Sequence, residues 1–475
     1  MILEKTFLRL DDAQDRCVFR GVCREARAVV DARCVRLRLP GGHLAFDVDW
    51  KRWPRLRALC LDTLSDEDAE PLVAARSTLR RHLEALVLVN PVLTYRGASK
   101  VSTAFSGFLR HFGLRECEDP LVAVACSLRA WRAMESLDVA GSSVDGRSMG
   151  VWLAQCPRLR ALVCAHVPLG TEGFKKVLGV PSLRLDTLDL EATAIPNTTW
   201  LGKSGAFANL KSLRVSCPTD LSGLFEHAEA LPMMESLWMA GLGWFDGQLA
   251  SSFARAVEHW PRLETLGMTC MAITGEAFYV LGRSQGMHAQ LTSLVMRRCT
   301  WHGGAMLTGF LGRAPWPRLR TLDVGNNKTD SFWLLMDCEK TFPVLHTLDV
   351  AGTPLGDHST CFSLSTSYLP SLRVLLANDC GLRDVCFAPT VQEVHMRNHE
   401  MEHLRVASPD LRKLDVTTDK VHIDPAAMVS LSTTCPSLRK LRHDRMTCEE
   451  AAWLIRTAKF AVGTEITFDV GRVTL

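Results

Sequence analysis

The chain has 475 residues, of which 47% are hydrophobic and 23% are charged, and its formal net charge is +3. This composition is that of a folded protein with a large core, and it excludes a disordered tail. So small a net charge gives no support for a dedicated nucleic-acid-binding protein, which would normally carry a concentrated basic face. We expect nucleic acid near this chain only within a larger assembly.

The cysteines and the apolar runs indicate the compartment. The 17 cysteines are scattered and mostly stand beside Leu, Val or Ala, which favours free buried thiols in a reducing compartment over a disulfide framework. No apolar run approaches the roughly 18 residues that a membrane span needs, and the first residues resemble neither a secretory signal nor a transit peptide. We therefore expect a cytoplasmic protein with no membrane partner, with the nucleus and the cilium or flagellum as other locations.

The first 33 residues have the spacing of two short helices. Apolar residues recur at helical intervals on either side of Asp11 and Asp12, which can cap the second helix. These apolar residues are Leu3, Phe7, Leu10, Val18, Val22 and Cys23. Residues 34–40 then alternate as a strand does. Residues 1–33 are thus predicted to form a helical cap that protects the edge of this first strand.

From the first strand onward, one short phrase recurs. It consists of an apolar residue, two variable residues, Leu, one variable residue and a second apolar residue, and we number the first of these position 1. Position 1 falls at residues 56, 83, 134, 159, 185, 210, 234, 263, 291, 319, 345, 372, 391, 411 and 438. Most steps are 24 to 29 residues long, which is the range of leucine-rich repeats.

Each repeat is predicted to supply one strand and one helix. Positions 4 and 6 lie two residues apart, so on a strand they point to the same side, into the core. Residues 65–79, 145–155 and 171–178 open with cap-type and acidic residues and then become apolar, as helices do. The fold class is therefore α/β, a leucine-rich-repeat solenoid (horseshoe) with a concave parallel β-sheet and convex helices. Residues 34–475 would form about 15–16 repeats, including a C-terminal cap.

Three stretches depart from the period. The step from residue 83 to residue 134 is 51 residues, so residues 89–133 hold either an undetected repeat or an insertion. The steps that follow residues 372 and 391 are 19 and 20 residues, so these repeats are predicted to lack a proper helix. Such a break can mark a binding site, although relaxed packing near an end is the simpler explanation. Residues 465–475 are predicted to form a closing strand.

Positions 3, 5 and 7 are predicted to face the concave side. Position 3 is mostly Ala, Ser or Thr, and position 5 is repeatedly acidic. The predicted partner-binding residues are Asp138, Asp189, Arg214, Trp238, Arg297, Asp323, Asp349, His395, Arg397 and Lys413. They describe an acidic surface with a central Trp, followed by a mixed and more basic region that could orient a protein partner. The alternative is structural: Ser and Thr suit strands, and Asp keeps an open sheet soluble.

One string has the letters of a zinc-protease motif. His399, Glu400 and His403 form a literal HExxH, but that motif needs both histidines on one face of a helix. Here it falls within the shortened repeats, where a helix is hard to fit. No phosphate-binding loop occurs. We therefore predict no catalytic residue, no metal ligand and no cofactor, and a protein that is not an enzyme.

Two resemblances bear on function. Repeats such as those at Cys156–Leu162 and Cys435–Leu441 look like the cysteine-containing and ribonuclease-inhibitor-like subclasses of leucine-rich repeats. Residues 2–11 and Arg20–Arg27 resemble an F-box. In that family the F-box docks on the Skp adaptor of cullin–RING ubiquitin ligases and the repeats hold the substrate. The resemblance implies that Leu3, Phe7, Leu10, Val18, Val22 and Cys23 form the adaptor-binding surface.

Two hypotheses of function remain open at the level of sequence. In the first, the chain is an F-box-type substrate receptor for a cullin–RING ubiquitin ligase, with a Skp-type adaptor, cullin and a substrate protein as partners. In the second, it is a structural leucine-rich-repeat subunit of a large assembly, such as an axoneme, a cilium or a ribonucleoprotein particle, and the F-box-like segment is only a cap.

Overall fold

The computed structural model consists of two compact units, Met1–Thr219 and Asp220–Leu475. The structure describes residues 34–39, 50–180, 183–193, 198–199, 207–216, 221–241, 243–302, 310–312, 314–327, 341–353, 362–363, 369–380, 384–386, 389–397, 403–405, 408–417, 431–443, 448–457, 460, 464–468 and 471–474. The helical cap predicted for residues 1–33 lies outside the described residues, so that boundary and all six adaptor-binding residues stay predictions.

The first unit is built on eight parallel strands that pair in chain order. They are β1 Arg36–Leu39, β2 Ala58–Asp62, β3 Ala85–Val89, β4 His111–Arg115, β5 Ser136–Asp138, β6 Ala161–Val163, β7 Thr187–Leu190 and β8 Ser212–Ser216. Helices follow the strands: α1 Asp66–Ala74, α2 Arg76–Leu79, α3 Tyr95–Phe105, α4 Pro120–Ser127, α5 Gly146–Ala154 and α6 Gly170–Leu178. The strand-and-helix alternation confirms the repeat.

The second unit continues the same plan. Its main parallel sheet contains β9 Ser236–Ala240, β11 Thr265–Thr269, β13 Ser293–Arg297, β15 Thr321–Asp323, β16 Thr347–Asp349, β18 Val374–Leu376, β20 Glu393–Arg397, β22 Lys413–Thr417, β23 Lys440–His443 and β24 Glu465–Phe468. The helices are α7 Ser222–Glu226, α8 Gly247–His259, α9 Gly275–Leu281, α10 Gln285–Gln290 and α11 Cys448–Thr457. Both units therefore have the α/β leucine-rich-repeat solenoid fold.

The core forms where the phrase predicts it. Positions 4 and 6 are buried and the residues between them are half-exposed, as in β2, β8 and β9. Leu59, Leu162 and Leu322 at position 4 are each 1% exposed. Removing apolar surface from water stabilises by roughly 25 cal/mol per Å². Because each strand buries this surface only against its own helix and the neighbouring repeats, stability builds up repeat by repeat.

A left-handed corner ends the strands at position 8. Twelve repeats have a positive φ there, at Thr63, Asn90, Glu116, Gly141, His166, Ala192, Gly241, Cys270, Arg298, Asn326, Gly352 and Asp379. Most of these residues are not glycine, so the conformation is imposed by the stacked repeats, since an isolated L-residue disfavours it by about 1–2 kcal/mol. The corner turns the chain away from the sheet toward the helix.

Position 9 binds the backbone at this corner. Asn327 is fully buried, accepts from the Cys299 amide at 2.8 Å and donates to the carbonyls of Met296 and Val324 at 2.6 and 2.7 Å. Ser142, Thr193, Thr353, Cys299 and Cys380 at the same position also donate to buried carbonyls. These bonds satisfy polar groups that would otherwise be costly to bury. Asn, Ser, Thr and Cys can all serve here, whereas Leu64, Val167 and Met271 at the same position have side chains that cannot form such a bond.

The helices begin where their capping residues predict. Ser65 forms a reciprocal capping box with Asp68 at the start of α1, and Asp145 accepts the Ser148 amide at 2.7 Å at the start of α5. These contacts confirm two of the three helices predicted from sequence. The third, predicted at residues 171–178, is confirmed as α6 although Leu169 gives it no side-chain cap.

The long step between residues 83 and 134 contains an additional repeat. Its helix is α3, its strand is β4, and β4 pairs in parallel with both β3 and β5. The phrase runs from Leu109 to Leu114, with Phe112 at position 4 in place of Leu. Phe112 is 1% exposed and lies 4.6 Å from the Trp131 ring centroid. The larger ring thus fills the leucine position with help from a buried tryptophan.

The two short repeats have a strand at the place of the helix. β19 Asp384–Cys386 pairs with β17 Phe362–Ser363 and β21 His403–Arg405 in a separate parallel ladder. A similar ladder, β10 Trp244–Phe245, β12 Ala272–Thr274 and β14 Thr300–His302, precedes the helices near the start of the unit. A strand covers the core with fewer residues than a helix does, which accounts for steps of 19 and 20 residues.

The C-terminal edge differs from its prediction in one respect. Instead of a single closing strand, β24 is followed by β25 Gly471–Thr474, which pairs with it antiparallel. β24 itself pairs in parallel with β23, and Thr464 donates to the Leu438 carbonyl at 2.9 Å. This hairpin covers the edge of β23, as a repeat array requires.

Seven buried cysteines of the described residues are free thiols: Cys117, Cys126, Cys156, Cys164, Cys299, Cys380 and Cys435. Burial raises the pKa of the Cys117 thiol to about 11 and that of Cys156 to about 12. Among the described residues, no helix combines the length and the apolar character needed to cross a membrane.

Candidate protein-binding surface

The side of each main sheet that carries positions 3, 5 and 7 is called here the sheet face. All ten residues predicted for partner binding lie on its strands. Asp138, Asp189 and Arg214 are on β5, β7 and β8 of the first unit. Trp238, Arg297, Asp323, Asp349, His395, Arg397 and Lys413 are on β9, β13, β15, β16, β20 and β22 of the second unit. Each unit therefore carries its own part of the predicted set.

Arginines of neighbouring strands pair with the acidic residues of the first unit. Arg115 Nε donates to Asp138 Oδ2 at 2.7 Å, and Arg214 lies 3.8 Å from Asp189 and 3.2 Å from Glu191. Burial raises the pKa of Asp189, and the nearby Arg214 only partly opposes it. This sheet face is thus a ladder of cross-strand ion pairs rather than a row of solvated carboxylates.

The aspartates at position 5 also bind their own turn. Asp138, Asp189, Asp323 and Asp349 each accept a hydrogen bond from the backbone N–H two residues ahead, at 2.9 to 3.1 Å. An Asp side chain makes this bond readily because its carboxylate reaches the second following amide. The repeated Asp therefore has a structural role that holds the end of the strand, whatever it contributes to binding.

Arg297 joins two strands of the second unit. Its Nε lies 3.1 Å from Asp323 Oδ1, and its Nη2 donates to Asp349 Oδ2 at 3.0 Å. Gly325 makes room for this arrangement, since a Cβ there would lie 3.1 Å from two guanidinium nitrogens. Burial raises the pKa of Asp323 to about 6, and the charge of Asp349 adds to the rise while Arg297 opposes it. We call Arg297, Asp323 and Asp349 the arginine bridge.

Trp238 lies flat against the next strand. Its position 5 partner in register is Gly267, followed by Val295 on β13. A Cβ on Gly267 would come within 2.2 Å of the indole Cε3 atom, so only glycine leaves space for the ring. Trp238 stays half-buried, and Val295 is 9% exposed. We call Trp238, Gly267 and Val295 the tryptophan patch; it is continuous in register with Asp323 and Asp349.

A second charged network spans β20 and β22. His395 Nε2 lies 2.8 Å from Glu393 Oε1, and Lys413 Nζ donates to the same oxygen at 2.8 Å. On its other side, His395 Nδ1 lies 3.6 Å from Asp415 Oδ2. Hydrogen bonding to Asp415 raises the pKa of His395; burial opposes this, and Glu393 supports it. The structure thus brings His395 and Lys413 together, while Arg397 remains exposed at the end of β20.

The HExxH string falls almost entirely outside the described residues. His403, its last member, begins strand β21, whereas a zinc-protease motif would place it on a helix. Within the described residues, no group of three or more His, Cys, Asp or Glu side chains is arranged to hold a metal ion. The interpretation of His399 and Glu400 therefore stays a prediction.

Several functional features were not foreseen from sequence. The partners Arg115, Glu191 and Gly267 all lie on the sheet face beside predicted residues. One sequence pattern could have indicated the tryptophan patch: a repeat with Trp at position 5 is followed by a repeat with Gly at position 5. Cross-strand pairs such as Arg115 with Asp138 would have needed the β4 repeat to be recognised first.

Comparisons with known proteins give matches among solved structures. Neither a protein-family model nor a curated protein matches the sequence. An internalin from Listeria monocytogenes matches 75% of this chain and 95% of its own, with 12% identity and a TM-score of 0.38. The yeast complex of Rad7 and Elc1 contains a chain that matches 66% of this chain and 67% of its own, with 14% identity and a TM-score of 0.35.

Proposed function

We propose that the chain is a non-enzymatic protein-binding scaffold and that the sheet face of its second unit, from β9 to β16, holds the partner. The observation that supports this most directly is the tryptophan patch beside the arginine bridge. Trp and Arg are the side chains most enriched at the energetic centres of protein interfaces. Here one of each lies within three adjacent strands of a rigid sheet.

Preorganisation favours binding at this place. Arg297 is fixed by two carboxylates and Trp238 by the glycine beneath it, so neither side chain loses much conformational freedom when a partner arrives. Ordering a rotamer-rich side chain at an interface otherwise costs about 0.5–1.5 kcal/mol. The surface offers a partner an apolar floor and, next to it, a hydrogen-bonding rim.

A matched pair of substitutions tests the sheet face. Trp238→Ala removes the indole of the tryptophan patch, whereas Trp244→Ala removes a 61% exposed indole on β10 of the same unit. The measurement is affinity purification with quantitative mass spectrometry. The recovered amount of proteins bound by the sheet face is expected to fall at least tenfold with Trp238→Ala and to stay within twofold of the wild type with Trp244→Ala. Equal recovery with both variants would refute the placement of the partner site.

We further propose that residues 1–33 act as an F-box, which would make the protein a substrate receptor of a cullin–RING ubiquitin ligase. This proposal rests on the resemblance of residues 2–11 and 20–27 to an F-box. We also propose that the repeats belong to the cysteine-containing subclass. The buried donors Cys299 and Cys380 at position 9 support this assignment. The adaptor surface would be formed by Leu3, Phe7, Leu10, Val18, Val22 and Cys23.

Purified Skp adaptor tests this proposal. The wild-type chain is expected to pull down the adaptor, and the double variant Phe7→Asp with Val22→Asp is expected to lose it because two charges enter an apolar interface. Far-UV circular dichroism of the same samples shows whether the repeats remain folded. Failure of the folded wild-type chain to bind any Skp adaptor, together with stoichiometric co-purification with one large complex, would instead support the structural-subunit hypothesis.

A further inference from the structure

A basic cavity opens at the amino ends of the first strands. It has a volume of about 720 Å³ and lies where the chain enters β2 and β3. Its charged lining consists of Arg55, Arg57, Arg80, Arg81, His82 and Glu84. A second cavity of about 410 Å³ shares Pro54, Arg81 and His82 with it, so the two form one continuous depression. We refer to the larger one as the basic cavity.

Among the residues that the structure describes, the cationic charge of this cavity is only partly balanced. Glu84 is its single acidic side chain, and Arg57 lies 3.6 Å from it. Within the described residues, Arg55, Arg80 and Arg81 form no ion pair. Elsewhere along the same edge, some arginines pair with carboxylates on the next repeat, as Arg110 does with Glu135 at 2.7 Å and Arg160 with Asp186 at 3.3 Å. The basic cavity thus gathers, in one place, three arginines that have no such partner among the described residues.

The chemistry of the lining selects the ligand. All four cations that line the cavity are arginines, whose planar guanidinium groups bind phosphate in a bidentate manner, whereas lysine acts as a point charge. A phosphorylated side chain carries a charge of about −1.5 to −2 at neutral pH and three acceptor oxygens. Val35 and Phe108 supply an apolar wall beside the cations, which suits the residues that flank a phosphorylated side chain.

We propose that the basic cavity binds a phosphorylated segment of a protein. The volume matches that of small-ligand sites, about 300–1,000 Å³, and is large enough for one phosphorylated residue and a neighbour. Nucleic acid fits less well, because it needs a basic track rather than one cavity, and the net charge of the chain is only +3. This site is in the first unit and does not depend on the function proposed for the second.

Fluorescein-labelled peptide pools test the proposal on the full-length chain. The probes are a degenerate pool centred on phosphoserine and the same pool centred on serine, with fluorescence anisotropy as the measurement at about 0.15 M salt. The phosphoserine pool is expected to bind at least tenfold more tightly. Equal binding of the two pools would overturn the proposal, because the phosphate would then contribute nothing.

A triple variant and its control locate the binding. Arg55→Gln with Arg80→Gln and Arg81→Gln is expected to weaken the phosphoserine pool at least tenfold. The control, Arg147→Gln with Arg158→Gln and Arg262→Gln, removes equal charge from exposed arginines elsewhere and is expected to stay within twofold. Equal loss in both variants would overturn the site. Tighter binding of inositol hexakisphosphate or of a single-stranded RNA 20-mer than of the phosphoserine pool would overturn the protein partner.

Discussion

Arg297 shares its guanidinium between two carboxylates that are less exposed than the arginine itself. The side chains of Asp323 and Asp349 are 16% and 11% exposed, against 39% for Arg297. Burial therefore disfavours the charged form of Asp323, and its pKa rises to about 6 even with the arginine beside it. The free energy of the arginine bridge thus depends on pH in a range that cells and buffers reach.

Substitution of Arg297 by Met is expected to destabilise the second unit by about 1–3 kcal/mol at pH 7, because two partly buried carboxylates lose their counter-charge. The pKa of Asp323 in the folded chain lies above its unfolded value of about 3.9, so the folded state binds the proton more tightly and stability falls as pH rises from about 4 to 6. In the variant the pKa of Asp323 is expected to rise further, so that the fall in stability extends to higher pH and becomes larger in total. Urea unfolding at pH 5 and pH 7 measures both.

The neighbouring Arg298 provides the control, because it is exposed and occupies the corner position rather than the arginine bridge. Arg298→Met is expected to leave the urea midpoint and its pH dependence within error of the wild type. A deficit of Arg297→Met that is as large at pH 5 as at pH 7 would contradict the assignment of the pH dependence to Asp323.

At the scale of the repeat, the left-handed corner at position 8 is a conformation that twelve of the described repeats share. At His166 it has a φ of 58° and at Gly352 a φ of 69°. His166→Gly is expected to stabilise its repeat by about 0.5–1 kcal/mol, since glycine adopts this region without the Cβ penalty. Gly352→Ala is expected to destabilise by about 1–2 kcal/mol, because its Cβ would lie 2.5 Å from the Asn326 side chain.

Native-state hydrogen exchange at the amides of β6 and β16 measures these local changes. Val151→Gly on the exposed side of α5 controls for the entropy of glycine, and it is expected to destabilise by about 0.3–0.5 kcal/mol because glycine is a poorer helix former than valine. Destabilisation by His166→Gly as large as that by Val151→Gly would show that the corner carries no strain to relieve.

The sequence predicted the elements of the repeat well because each depends on local chemistry. Spacing within one repeat predicts the buried positions 4 and 6 and the cap residues Ser65 and Asp145. The same spacing shows that the two short repeats have little room for a helix. The sequence leaves the β4 repeat undecided against an insertion, because the larger Phe112 stands where the phrase has Leu and its acceptance depends on Trp131 from the following repeat. The extra strand of the C-terminal hairpin has no phrase of its own.

The candidate site was predictable only in part. Alternation placed all ten residues on strands of the sheet face, yet it could not give their neighbours. Whether Asp138 is a free carboxylate or half of an ion pair depends on Arg115, which lies one strand away and 23 residues earlier. Similarly, Trp238 can lie flat against the next strand only because residue 267 is a glycine. Contacts between repeats require the register, which a single sequence does not supply.

At the scale of the whole molecule, a chain of stacked repeats in two compact units is expected to unfold in parts. Leu162 and Leu322 occupy the same position 4, are each 1% exposed and belong to different units. Leu→Ala at either site is expected to cost about 2–5 kcal/mol. Hydrogen exchange with mass spectrometry should show lost protection around β6 for Leu162→Ala and around β15 for Leu322→Ala.

Each variant is the control for the other, because the substitution, the strand position and the burial are the same. Protection in the unit that is not substituted is expected to remain at the wild-type level. Loss of protection through both units by either variant would mean that the chain unfolds as one cooperative block, contrary to the behaviour of repeat arrays.

The buried thiols can report the local opening of individual repeats. A cysteine with a raised pKa beneath a packed repeat does not react with an alkylating reagent until that repeat opens, since the thiolate is the reacting species. Cys117, Cys156, Cys299, Cys380 and Cys435 occupy different repeats. Their alkylation rates would therefore rank the repeats by how often each one opens locally. No label would have to be engineered into the chain.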